Sequence, residues 1–201
     1  MRKGAPRVLT ACGAPSAIPV SWGIWYCVFE TTSRPCECYP RQVGNKQTFI
    51  NSFVMSHAVP TGVRSKLLRR LGVDLGPDTY LGAGTILKGT RLTTGKGCFI
   101  NHGGLIDSGQ VTLGDGVFVG PGVIMVSRDH ELGPAAKRAG ANYDKPITVG
   151  NGAWIGARAT VLGGVHIAEG CVIGAGAVVT QDTLPNALYA GVPAVFKRFL
   201  A

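Results

Sequence analysis

Between Ile147 and Val179 one aliphatic residue recurs at every sixth position: Val149, Ile155, Val161, Ile167, Ile173 and Val179. A small or apolar residue stands two places before each of them (Ile147, Ala153, Ala159, Val165, Cys171, Ala177), and Gly150, Gly156 and Gly174 directly follow three of them. A period of six belongs neither to an α-helix nor to a single alternating strand. It fits a short strand and a tight corner, repeated, which is the pattern of a parallel β-helix with three strands per turn. Each recurring aliphatic then points into a triangular prism, and glycine at the corners permits backbone conformations that a Cβ opposes. The period leaves the hand of the coil open.

The same period is expected to begin at Leu75 and to run through Leu81, Leu87, Thr93, Phe99 and Leu105. Leu113, Val119 and Met125 then resume it two residues out of phase, which places an irregularity near Asp107 to Gln110. Residues 127–146 contain neither hexad glycines nor inward aliphatics, so this stretch is expected to be a loop extruded from the coil, with its flanking turns stacked directly on one another. Counted this way the coil has about five turns and a length of about 24 Å at the usual inter-strand spacing. It ends near Asp182 and is followed by a tail with a basic, aromatic finish, Phe196-Lys197-Arg198-Phe199.

Ahead of the coil the pattern turns helical. Residues 48–72 are expected to form a cap, with Thr61 as N-cap, Leu67, Leu68 and Leu71 as the apolar stripe and Gly72 as the stop. A β-helix has an open end whose unpaired backbone and apolar core need covering. Arg64, Lys66, Arg69 and Arg70 read as the solvated face of that cap.

Residues 1–47 form a leader of uncertain structure. Val8 to Phe29 carries no charge, a length at which a membrane span has to be considered, but two prolines, two glycines and several Ser and Thr interrupt it. Leu9-Thr10-Ala11-Cys12 resembles a lipoprotein cleavage site, but the apolar run before it is only two residues, far too short for the apolar segment of a signal peptide. The expectation is a soluble, cytoplasmic protein with one main domain, residues 73–201.

Twenty Lys and Arg against eleven Asp and Glu give a net charge of +9, which suits a polyanionic ligand as well as nucleic acid. The charge is scattered and no aromatic-interleaved basic strand accompanies it, which argues against nucleic acid. Six cysteines form no CxxC pair, and no histidine stands at zinc-finger spacing, so no metal is expected. Cys171, at an inward position, reads as a small core hydrophobe.

For chemistry, the extruded loop carries Asp129-His130-Glu131, and His130 is the first candidate for a general base, since imidazole can hold or release a proton near neutral pH. His102, beside Asn101 on the coil surface, ranks second. His166 is an outward position without an evident role, and His57 falls in the cap. Asp107 sits at the phase break, able either to orient a polar group or to bond its own turn. Trp154 points outward between inward Ala153 and Ile155, as a residue does that meets a neighbouring subunit or the flat part of a ligand.

Asn101, the run from Leu113 to His130, Arg138-Ala139-Gly140, Lys145 to Gly150, Trp154-Ile155-Gly156, Gly174 to Thr180 and Ala190-Gly191-Val192-Pro193-Ala194 together resemble the maltose and galactoside O-acetyltransferases, within the hexapeptide-repeat acyltransferases. The resemblance covers about residues 60–200 and implies an all-β fold, a left-handed parallel β-helix. It also implies a homotrimer with active sites between subunits, acetyl-CoA as acyl donor and a small, carbohydrate-like acceptor. It places His130 at the catalytic base, Asn101 and Asp107 at acceptor-binding positions, and Trp154, Ala157, Ala175, Thr180 and Arg198 along the CoA channel. The sequence departs from the family where Glu131, Ala141, Gln181 and Val195 stand. The last two replace residues that are often Lys and Arg near the nucleotide phosphates.

Other classes fit less well. A γ-class carbonic anhydrase needs a metal-binding set of histidines that is absent here, and a nucleotidyltransferase or serine acetyltransferase needs a large front domain. An acyltransferase acting on an amine or a hydroxylated antibiotic remains an alternative. A structural or ice-binding β-helix is expected to show a threonine ladder, and Thr93, Thr94 and Thr112 do not read as one.

Overall fold

The computed structural model describes residues 45–107 and 109–201. The uncharged stretch Val8 to Phe29 and the Cys12 motif lie outside them. The hexads fold as the period requires, into a left-handed β-helix of parallel strands two to four residues long on three faces. The first face stacks Asp74–Leu75, Leu92–Thr94, Val111–Leu113, Ile147–Val149 and His166–Ile167. The second stacks Tyr80–Leu81, Phe99–Ile100, Phe118–Val119, Trp154–Ile155, Val172–Ile173 and Ala187–Ala190. The third stacks Ile86–Leu87, Leu105–Ile106, Ile124–Val126, Thr160–Leu162 and Val178–Val179. There are thus five complete coils and the start of a sixth, so the coil extends beyond Asp182, where the sequence reading ended it. Val195–Phe199 turns back antiparallel to Ala187–Ala190 and closes the end of the second face.

The series from Val149 to Val179 and the residues two places before each are all buried and fill one continuous core. Removing this aliphatic surface from water, at roughly 25 cal/mol per Å², drives the coil shut.

The earlier coils correct the expected phase. Leu75 pairs with Thr94 and Thr94 with Leu113, a repeat of 19 residues, whereas Val149 pairs with Ile167, a repeat of 18. The extra residue enters twice at the same corner, within Lys88 to Arg91 and again within Asp107 to Gln110. Inward positions in the second coil are therefore Thr94, Ile100 and Ile106, while Thr93, Phe99 and Leu105 face outward. Both phases are comparably apolar, so hydrophobicity alone could not choose between them. Inward Thr94 is tolerated because its hydroxyl lies 3.2 Å from the Thr79 hydroxyl and accepts the Gly76 N–H at 3.0 Å.

The corrected phase also stacks Thr93, Thr112 and Thr148 in register on the outside of the first face, a threonine ladder that the sequence reading had ruled out.

The cap consists of α1 (Asn45–Phe49), a π-helical turn (Ile50–Val54) and α2 (Thr61–Arg70). Thr61 is the first helical residue and Pro60 holds the N-cap place without a side-chain bond. Gly72 ends the helix with φ +84°. Arg64 is not solvated as expected but 2% exposed. Its guanidinium donates to the carbonyls of Val54, Ser56, Val59 and Leu81 at 2.6–3.1 Å. Arg69 donates in the same way to Leu75 and Gly76. The cap thus satisfies open backbone at the first coil. Among the described residues no helix is long and apolar enough to cross a membrane.

Candidate active site

Two corners of the prism carry most of the residues singled out from the sequence. Along the corner between the second and third faces, Asn101 lies in the second coil, Ala157 in the fourth and Ala175 in the fifth. The N–H groups of Ala157 and Ala175 donate to no carbonyl among the described residues. Ala157 is half-buried and Ala175 exposed, so the two are unengaged donors at the surface of the coil, one coil apart, roughly 5 Å. Asn101 turns its Oδ1 to accept the His102 N–H at 2.8 Å, and the His102 ring meets the Tyr80 hydroxyl at 3.3 Å and lies parallel to His57.

Along the corner between the third and first faces lie Asp107 and Thr180, and from it leaves the stretch expected to be a loop. That stretch is an antiparallel hairpin, Arg128–Leu132 with Ala139–Asp144, pairing His130 with Asn142. The flanking turns stack as expected, Leu113 on Val149. Asp144 fixes the hairpin at its root, accepting from Arg128 Nε and from Arg91 of the coil, both at 2.8 Å. The bond from Arg128 and the charges of both arginines hold the Asp144 carboxyl below the usual carboxylate range, and the same bond raises Arg128. Asp107 has only 12% of its side chain exposed and lies 3.8 Å from Lys88 Nζ.

His130 is exposed near the middle of its strand, with its backbone N–H donated to Asp129 Oδ1 at 2.8 Å. Its Nδ1 is 3.1 Å from the carbonyl oxygen of Gly140. A carbonyl can only accept, so Nδ1 carries the hydrogen in this bond and the neutral ring leaves a lone pair on Nε2. The group that orients the imidazole is therefore a backbone atom of the facing strand, which no side-chain motif could have revealed.

His166 takes no part in either corner; its Nδ1 lies 2.7 Å from the Thr148 hydroxyl on the first face. Trp154 is 53% exposed on the second face and is the last rung of an aromatic ladder, Tyr80, Phe99, Phe118, Trp154. Successive rings there stand 4.4, 4.9 and 6.5 Å apart. The first three rungs went unnoticed in the sequence because they surface only at the 19-residue spacing. Arg198 lies exposed on the terminal strand beside Leu188 of the same face.

Residues 146–181 match the family described as bacterial transferase hexapeptide (six repeats). Over that stretch the chain is similar to hexapeptide-repeat transferases. The galactoside O-acetyltransferase of Escherichia coli K12 is 47% identical over 64 residues, which cover 32% of this chain and 30% of that protein. The chain thus spans about a third of the length of that curated relative. A solved galactoside acetyltransferase in complex with coenzyme A superposes with a TM-score of 0.69 at 27% identity, covering 80% of this chain and 85% of that one. A hexapeptide-repeat acetyltransferase of Vibrio cholerae solved with acetyl coenzyme A gives 0.69 at 28% identity, over 78% and 84%. The chain is similar to these acetyltransferases in sequence and in fold, as the resemblance implied.

Proposed function

We propose that the protein is an acetyl-CoA-dependent O-acetyltransferase that acts on a hydroxyl group of a carbohydrate-like acceptor, with His130 as general base. The observation that carries this reading is the bond from His130 Nδ1 to Gly140, which presents Nε2 as a proton acceptor on a pinned hairpin. The likeness to acetyltransferases solved with coenzyme A and acetyl coenzyme A supports the donor. So do the unengaged N–H groups of Ala157 and Ala175, which suit amide carbonyls such as those of a pantetheine arm.

In the proposed reaction the acceptor oxygen attacks the thioester carbonyl carbon while His130 Nε2 takes the hydroxyl proton. The tetrahedral oxyanion is stabilised by backbone N–H groups. The C–S bond then breaks, and the CoA thiolate recovers the proton from the imidazolium. Asn101 and Asp107 hold the acceptor. Trp154, Ala157, Ala175, Thr180 and Arg198 line the donor's path. The threonine ladder leaves this reading in place, because a structural β-helix has no use for an oriented imidazole on an extruded hairpin. The deciding assay follows release of the CoA thiol from acetyl-CoA against sugars, nucleotide-sugars, amino acids and hydroxylated antibiotics. Release with sugars supports the proposal, and release only with amines or antibiotics replaces the acceptor.

Asn101, Ala157 and Ala175 stand at one edge of the third face, and Asp107, Thr180 and the root of the His130 hairpin at the other. Asn101 and Asp107 are six residues apart along the chain, at opposite edges of the face, a separation below the roughly 20 Å of a fully extended segment. A second copy set against this face would bring one copy's hairpin to the other's Asn101 corner. Outward Phe118, Trp154, Ile86 and Ile124, 38–53% exposed, supply apolar surface for such packing. The expected assembly is a homotrimer with shared sites, and light scattering should give three times the 20.9 kDa of one chain. A stable monomer at micromolar concentration would refute it. Arg198→Ala should raise the KM for acetyl-CoA by about tenfold and leave the acceptor's KM nearly alone, as the loss of one phosphate contact implies. An unchanged donor KM would remove Arg198 from the donor site.

A further inference from the structure

Among the described residues, three other than glycine have φ in the left-handed region: Asp78 at +55°, Arg158 at +56° and Asn186 at +49°. Asp and Asn enter this region readily because their short polar side chains bond locally. Arginine has no such exemption. Along the corner between the second and third faces, the places stacked with Arg158 are Gly84, Gly103, Gly122 and Gly176, with φ between +68° and +71°. At this one stacked position the fourth coil alone carries a side chain, at a conformation that disfavours it. Backbone strain of this kind persists where a side chain has work to do.

The Arg158 side chain is exposed, and no carboxylate pairs with it among the described residues. Its Cγ lies over Gly122, so close that a Cβ there would stand 3.3 Å from it. The stem of Arg158 thus leaves the fourth coil over Gly122 of the third, on the side of the coil that carries Asn101 and away from the terminal strand that carries Arg198.

We infer that Arg158 is an anion-binding residue of the proposed cleft, and that it holds a phosphate or carboxylate group of the acceptor. This inference rests on the reading of the corner as the substrate cleft. Arginine suits the task because its planar fork donates two parallel hydrogen bonds to either oxyanion. The acceptor's class narrows accordingly to acidic sugars and sugar phosphates.

The test compares wild type with Arg158→Gly, which installs the residue found at the stacked positions, and with Arg158→Lys. Binding of inorganic phosphate is measured by calorimetry with CoA saturating, so that the donor's phosphate contacts are occupied. Loss of charge-assisted bonds should weaken phosphate binding about tenfold or more in Arg158→Gly. Arg158→Lys should retain part of it, and the Tm of Arg158→Gly should equal or exceed that of wild type because strain is relieved. Equal phosphate affinity in wild type and Arg158→Gly overturns the inference, and a lower Tm in that case marks Arg158 as structural. If Arg158→Gly weakens CoA but leaves 3′-dephospho-CoA unchanged, the anion belongs to the donor and the assignment to the acceptor falls. None of these readouts needs turnover. Failure of the acetyltransferase reading would show instead as absent thiol release by wild type.

Discussion

His130→Ala should lose at least about a hundredfold in kcat, since a general base contributes roughly 10²- to 10⁴-fold. The KM for acetyl-CoA should change little, because Nε2 is proposed to meet the reacting hydroxyl and not the nucleotide. Wild-type kcat/KM should rise with pH, as the protonated imidazole has no lone pair to offer; in His130→Ala that limb should vanish. His166→Ala is the control, its ring being engaged with Thr148 on the first face. Near-full activity in His130→Ala would return the hairpin to the status of a lid and reopen the search for the base.

The second large effect concerns folding. Arg64→Met should destabilise the protein by at least about 3 kcal/mol, because the carbonyls of Val54, Ser56, Val59 and Leu81 lose the charged donor they share. In a domain of this size that corresponds to a Tm lower by roughly 6–12 °C. Lys66→Met, on the exposed side of the same helix, should shift the Tm by no more than a degree or two. If both variants melt alike, the cap is not held to the first coil by Arg64. Arg64 and Lys66 look alike in sequence, as two basic residues of one helix. Only the place of each residue on the helix relative to Leu81 separates a buried clamp from a solvated charge.

The hexads were legible where inward aliphatics alternate with small or polar outward residues, as they do from Ile147 to Val179. They were misread from Thr93 to Leu105 because the outside of the second and third faces is itself apolar there. Phe99 and Leu105 look inward until pairing with Phe118 and Ile124 fixes them outward. The threonine ladder was lost to the same slip of one residue, which exchanges the faces of a strand. Trp154 was recognised as outward because its inward neighbours are unambiguous. Arg158 passed unnoticed, since a left-handed φ leaves no mark in the sequence beyond the absence of a glycine.

The sequence by itself determined the architecture. A strict repeat of strand and corner buries its aliphatics by coiling, so the period specifies the prism, its core from Ile147 to Val179 and the place where residues 127–146 leave it. The tertiary structure alone decided the chemistry of the candidate site. The orientation of His130 comes from the Gly140 carbonyl, a group every residue carries. The separation of Asn101 from Asp107 comes from which corner each coil assigns it. The strain at Arg158 comes from stacking one coil on the next. These depend on backbone atoms and on register between segments far apart in the chain, and neither is encoded in the identity of any one residue.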